Sequence, residues 1–332
     1  ARTSCSASAE RFHPVRPPAS TACVRILFIT STRIGDVILS TGVLQHLMDA
    51  HPQARFTIAC GKVAAPLFRA WPRVDAVIAM VKRRYGLHWF DLWRATADGV
   101  WDQVIDLRGS WTGKFLRARR RFIHPGTNLR LRAADDHAVA LGLAQSPPLQ
   151  LYLDAPAHAY ARRLLGETSR PVLALSPGAA KPEKRWGPDG FAAVARALLG
   201  SGGALAGARV LVLGGPGEEA LTGAIAAGLS EFDPIDAKGD MPLLEAAACL
   251  ARCRLVIAND SGLMHMAAAM SAPVLGLFGP TDDRRYAPFG PFTGVVRPNA
   301  GARDIHALKP AQVIEAAAGL LATSGAWRAP CD

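Results

Sequence analysis

Nothing in the 332 residues reads as a membrane span, because no stretch reaches the ~18 apolar residues that a spanning helix needs. Residues 1–23 are rich in Ser, Ala and Pro and lack the apolar core of a secretory signal. They are expected to form a disordered leader. Cysteine is scarce and unpatterned: Cys5, Cys23, Cys60, Cys249, Cys253 and Cys331 include no CxxC pair. That argues against a zinc site or a disulfide frame and suits a reducing, cytoplasmic compartment. Several catalytic templates are missing too. No GxGxxG follows the first strand, which disfavours a nicotinamide dehydrogenase, and neither HExxH nor GxSxG occurs. The run Gly109-Ser110-Trp111-Thr112-Gly113-Lys114-Phe115 is one residue short of a P-loop and carries Phe where magnesium needs Ser or Thr. Asp135-Asp136 and Asp282-Asp283 are adjacent acids with no metal-ligand spacing, so no metal site is expected.

Acidic residues are the minority, 27 against 38 Lys and Arg, and the net charge is +11. Such a balance favours anionic partners, whether phosphate, nucleic acid or an acidic headgroup layer. The densest cluster is Arg117, Arg119, Arg120 and Arg121, with Lys114 before it. A solvated basic face accounts for it equally well. With half the residues hydrophobic and a length that suits two domains, the chain has enough apolar material for a sizeable core.

Short apolar runs alternate with longer helical patterns, the signature of an α/β fold with parallel sheets. Strands are expected at 24–29, 55–60, 76–81 and 103–107, with one helix over 36–50 and others near 88–97 and 136–144. The periodicity lapses between Ala144 and Pro156, where three prolines fall, so residues 24–155 and 156–325 are expected to form two domains. In the second half, strands are expected at 172–175, 209–213, 255–258 and 273–278. Helices are expected at 188–199, 241–252, 263–270 and 310–321.

Ligands of such sheets sit beyond the carboxyl ends of the strands. Four loops there carry chemistry. Ser176-Pro177-Gly178-Ala179-Ala180 lets backbone approach a phosphate, and Lys184 and Arg185 add charge. Gly214-Gly215-Pro216-Gly217 precedes Glu218 and Glu219, either suited to ribose hydroxyls or merely to a first helical turn. Asn259-Asp260-Ser261-Gly262-Leu263-Met264-His265 ends a strand and opens a helix, a ready anion site; it also reads as an N-cap before a packed histidine. Thr32-Arg33-Ile34-Gly35-Asp36-Val37 ends the first strand and presents Asp36 either as a general base or as a cap.

These four loops, with Phe278-Gly279-Pro280-Thr281-Asp282 near the end, resemble glycosyltransferase family nine, the ADP-heptose:lipopolysaccharide heptosyltransferases, over residues 24–325. The resemblance implies a GT-B fold, two Rossmann-like domains facing a central cleft. It implies inverting transfer with an ADP-sugar as co-substrate and no metal or other cofactor. By resemblance, Asp36 is the general base and Lys184 serves the donor phosphates. Met241 packs near adenine, and Glu219, or else Glu218, binds the ribose. Asp260, Ser261, Gly262 and His265 surround the sugar and diphosphate, and Ser176 and Gly178 complete the donor side. Met264 departs from the family in standing where a small polar residue is frequent, and residues 1–23 have no counterpart in it. An acidic lipid-linked or glycan acceptor would meet Lys114, Arg117 and Arg120, with loose contact at the inner face of the inner membrane. Two rivals stand beside this reading. One is a nucleotide-sugar epimerase of the same architecture. The other is a basic, non-catalytic nucleic-acid-binding protein, which the lack of stacking aromatics in the basic cluster disfavours.

Overall fold

The structure, a computed structural model, describes residues 24–166, 170–237, 239, 241–299, 302–325 and 327. The expected leader, residues 1–23, lies outside them. The first half runs β1 (Arg25–Ile29), α1 (Ile34–Leu39), α2 (Thr41–Ala50), β2 (Arg55–Gly61), β3 (Val74–Met80), α3 (Leu87–Thr96), β4 (Trp101–Asp106), α4 (Trp111–Phe115), β5 (Ala118–Ile123) and α5 (Ala133–Ala138). The second half runs α6 (Ala155–Leu165), β6 (Val172–Ser176), α7 (Pro188–Leu199), β7 (Arg209–Leu213), α8 (Glu219–Ala227), β8 (Ile235–Ala237), α9 (Leu243–Ala251), β9 (Leu255–Asn259), α10 (Gly262–Ala269), β10 (Val274–Leu277), α11 (Asp283–Tyr286), β11 (Thr293–Val296) and α12 (Pro310–Thr323).

The strands form two wholly parallel sheets, β3-β2-β1-β4-β5 and β11-β10-β9-β6-β7-β8. In each, strand order reverses once: between β1 and β4, and between β6 and β9. A crevice opens at each reversal because the flanking connections leave on opposite faces. Central strands such as β6 and β9 are buried along their whole length, as sheets covered on both faces require. Cys60, Cys249 and Cys253 are buried members of this core, and burial pushes the thiols of Cys60 and Cys249 up to about 12.

The helix expected near 136–144 is shifted to α5, strands β8 and β11 were not expected, and three further differences have a local cause. The expected helix over 36–50 is broken at Ser40. Ser40 Oγ donates to Val37 O at 2.7 Å, Thr41 Oγ1 donates to Ile38 O at 2.7 Å, and these local bonds compete with the helical ladder. The arginine cluster is the edge strand β5, where charge protects an unpaired edge and hides the alternation. The proline-containing stretch ends in α6: Asp154 caps it by accepting from Ala157 N at 3.0 Å, and Pro156 sits in its first turn, where its missing N–H costs nothing.

The halves are held together by packing and by ion pairs. α1 of the first half packs on α10 of the second, while α6 packs on α9 within the second half. Arg69 reaches both Asp154 and Glu245, at 2.6 and 2.9 Å. Arg285 of α11 donates to Asp136 of α5 at 2.8 Å and to the carbonyls of Asn128 and Leu131, with both charged side chains nearly buried. Asp136 also accepts from Asn128 N at 3.0 Å. Removing one partner of a buried pair leaves a charge with no compensation. Arg285→Ala is therefore expected to lose about 3 kcal/mol in urea unfolding. Arg285→Lys is expected to recover only part of it, because an ammonium cannot fork across three acceptors.

Candidate active site

The two crevices face each other. The loop after β1 carries Asp36 in the first turn of α1, and the loop after β9 carries Asp260 before α10. These two helix starts touch. A Cβ on Gly35 would lie 3.1 Å from His265 Cδ2, and one on Gly262 would lie 3.0 Å from Ile34 Cγ2. Glycine at both positions lets the backbones approach, so that Asp36 and the Asp260–His265 loop share one space.

Around this contact the polar groups are arranged tightly. Lys184 Nζ donates to Asp260 Oδ2 at 2.6 Å, a pair mostly withdrawn from solvent. Asn259 is fully buried and ties two loops together, donating through Nδ2 to Pro177 O at 2.6 Å and accepting from Trp186 N at 3.3 Å. Ser31 Oγ donates to Asp36 Oδ2 at 3.4 Å, a long contact. His265 is buried; desolvation pushes its imidazole down, against the pull of Asp260 and Asp36, which keeps it neutral at pH 7. His265 Nδ1, Ser261 Oγ and Ser176 Oγ are buried with no hydrogen-bond partner, a costly state that a polar ligand would relieve.

Beside them lies a cavity of about 180 Å³, walled by Ser176, Gly178, Glu218, Met241, Ser261, Gly262 and Leu263 among others. Ser261 caps α10 without a side-chain hydrogen bond to its amides, so the helix start can bind an anion. Glu218 Oε2 accepts from Gly215 N at 2.8 Å and Arg185 stands 3.5 Å from Oε1, which fixes the carboxylate in the wall. Any side chain at Gly178 would collide with that carboxylate.

Most donor-side residues named from sequence converge: Ser176, Gly178, Met241, Ser261 and Gly262 line the cavity, while Lys184, Asp260 and His265 adjoin it. Glu219 does not. It opens α8, turns back to accept from Gly217 N at 2.9 Å, and its neighbour Glu218 takes the wall position instead. The acceptor-side residues spread apart. Lys114 is exposed on α4, but Arg117 precedes β5 and its carbonyl pairs with Trp101 N at the amino edge of the sheet. Asp36 lies beyond the carboxyl edge. At ~3.3 Å per residue, the length of β5 separates that edge from Arg117, and Arg120, midway along, is only partly nearer. A sheet strand cannot present both of its ends to one crevice.

Two residues escaped the sequence reading. Asp106 ends β4 at the first reversal and accepts from Arg108 N, Ser110 N and Ser110 Oγ, shaping the turn there; burial raises its pKa. His137 of α5 lies within electrostatic reach of Asp36, and desolvation lowers its pKa to about 4. Neither stands in a motif, so only the fold reveals them. Among the described residues, no three His, Cys, Asp or Glu side chains cluster as metal ligands would.

Two Rossmann-like domains with parallel sheets on either side of one cleft make the GT-B fold of glycosyltransferases. Residues 127–313 match the model of glycosyltransferase family 9 (heptosyltransferase), and the chain belongs to that family. It is a glycosyltransferase of the heptosyltransferase type found in lipopolysaccharide biosynthesis. Among its relatives, lipooligosaccharide heptosyltransferase 2 of Haemophilus ducreyi is 25% identical over 313 residues, 82% of this chain and 88% of that protein. Lipopolysaccharide heptosyltransferase 1 of Salmonella typhimurium is 26% identical over 302 residues, 78% of this chain and 89% of that protein. The fold is shared with a family 9 glycosyltransferase of Veillonella parvula, at TM-score 0.75 and 24% identity over 91% of this chain and 98% of that one. An E. coli heptosyltransferase solved with ADP gives TM-score 0.70 and 20% identity over 88% and 98% of the two chains.

The depressed histidines have a consequence for stability. Unfolded His137 takes up its proton near pH 6.5, but the folded protein resists until about pH 4. Protons therefore favour the unfolded chain in that window, and stability falls as pH drops through it. Unfolding free energy measured from pH 7 to 5 is expected to decline, and His137→Asn should make the decline shallower.

Proposed function

We propose that this protein transfers a heptose from ADP-heptose to a lipopolysaccharide core or related acidic glycan acceptor, with inversion at the anomeric carbon. The observation that carries the reading is the glycine contact of α1 with α10, which sets Asp36 against the Asp260–His265 loop. ADP as the donor nucleotide is supported by the E. coli family neighbour solved with ADP. The adenosine would occupy the cavity, with Met241 against the base and Glu218 on the ribose hydroxyls. The diphosphate would meet the first amides of α10 and Lys184, which would exchange Asp260 for phosphate oxygens.

Asp36 then takes the acceptor proton as the hydroxyl oxygen bonds to the anomeric carbon. The bond from that carbon to the diphosphate breaks on the opposite face, and ADP leaves. Lys184 and the helix amides stabilise the charge growing on the leaving group, a role that asks for no metal and no other cofactor. His265, held neutral, can turn its unpartnered nitrogen toward the sugar. Of the acceptor contacts, Lys114 is the one retained in this reading. The protein would work at the cytoplasmic face of the membrane holding its acceptor; among the described residues no helix is long and apolar enough to cross it. The epimerase and nucleic-acid readings are not favoured: the curated relatives are named heptosyltransferases, and the basic run is an edge strand.

Calorimetric titration without metal is expected to show ADP binding preferred over UDP and GDP, and weakened in Lys184→Ala. Asp36→Asn should lower turnover about 10²–10⁴-fold, the usual worth of a general base, while ADP binding survives. Preference for UDP would overturn the donor, and near-normal turnover would overturn the base.

A further inference from the structure

Among the described residues, every large hydrophobic side chain left exposed falls between Val63 and Leu129; the nucleotide-binding half contributes none. Their placement is uneven within that half as well. Tyr85 (95% exposed), Leu87 and Phe90 lie on the segment leaving β3 at its carboxyl end, and Trp111 and Phe115 (71% exposed) lie on the segment leaving β4. This is the edge of the sheet that carries Asp36. Thr112 Oγ1 donates to Trp89 O at 2.9 Å, tying α4 to α3, and both helices cover one face of the sheet over a shared core of Leu92, Val104 and Leu116. Tyr85 and Gly86 are consecutive left-handed residues, with φ of 55° and 71°, and the turn they make throws the tyrosine ring into solvent.

The same surface is basic. From Lys82 to Arg121 the sequence holds ten Lys and Arg against four Asp, and Lys82, Arg84, Arg108 and Lys114 are exposed beside the apolar side chains. Arg83 is paired with Asp91, at 2.8 Å. Aromatic rings standing among lysines and arginines are what an interfacial surface uses: rings enter the headgroup boundary while the cations meet lipid phosphates. A second copy of the chain would bring two surfaces of like charge together, which repel.

We propose that this rim, the exposed side chains at the start of α3 and along α4, docks the protein on an anionic lipid bilayer. The inference deepens the proposed function, since it rests on a lipid-linked acceptor that must reach the cleft from the membrane. Docked this way, the carboxyl edge of the first sheet would face the membrane and Asp36 would lie just behind the contact.

The test is co-sedimentation of the full chain with vesicles of phosphatidylethanolamine and phosphatidylglycerol, beside vesicles of phosphatidylcholine alone. Binding to the anionic vesicles only, weakened by salt, is expected. The combined variant Tyr85→Ser, Phe90→Ser and Phe115→Ser should lose at least about tenfold in partitioning, and Lys82→Glu with Arg84→Glu should do likewise. Both should keep the ADP affinity, as none of these side chains lines the cavity, and the charge variant should keep the parent melting temperature, since Lys82 and Arg84 are exposed. Equal binding by the parent and both variants, equal binding to neutral vesicles, or no binding at all would overturn the proposal. Loss of self-association in the serine variant without vesicle binding by the parent would overturn it in favour of a dimer face. ADP binding and transfer are read separately, so a failed donor assignment with intact vesicle binding would leave the docking surface standing.

Discussion

The site depends on a contact that contains almost no atoms. Gly35 and Gly262 sit at the starts of two helices from different halves of the molecule, and a methyl group at either would crowd the other helix. Because neither has a side chain, α1 and α10 can meet end to end across the cleft. A carboxylate from one sheet then stands beside a helix dipole and a lysine from the other. Each sheet alone is an ordinary parallel α/β layer with a crevice at its strand reversal. Together the two crevices form one space, with Asp36 on one wall and the paired Lys184 and Asp260 on the other.

The remaining ties between the halves serve that contact. Arg285 with Asp136 and Arg69 with Glu245 also fasten the two halves together. Asn259 holds the Pro177 and Trp186 backbones so that Lys184 is delivered to Asp260. The price of this arrangement is a set of buried polar atoms without partners, on Ser176, Ser261 and His265. All three belong to the second half of the chain, at or beside the cavity, where a polar ligand would relieve them.

Much of this was legible in the residues. α7 spans Pro188–Leu199 as its proline start and apolar spacing imply, and the loops after β1, β6, β7 and β9 fall where a ligand-binding α/β sheet places its chemistry. What stayed hidden has physical causes. Three arginines masked β5, because an edge strand is free to be charged on its solvent side. Glu218 and Glu219 are neighbours in sequence, and only the path of the backbone into α8 decides which one faces the cavity. Arg117 belongs to the same basic run as Arg121 but sits at the wrong end of the strand. His137 reaches Asp36 only through the packing of α5 on α1, which no local pattern encodes.

The most direct test is a crystal structure with an ADP-heptose analogue that cannot be transferred. Adenosine is expected in the cavity between Met241 and Glu218, Lys184 turned from Asp260 to the diphosphate, and the anomeric carbon facing the Asp36 carboxylate from the side opposite the leaving group. A nucleotide bound elsewhere, or a sugar whose anomeric carbon has the diphosphate between it and Asp36, would contradict this arrangement.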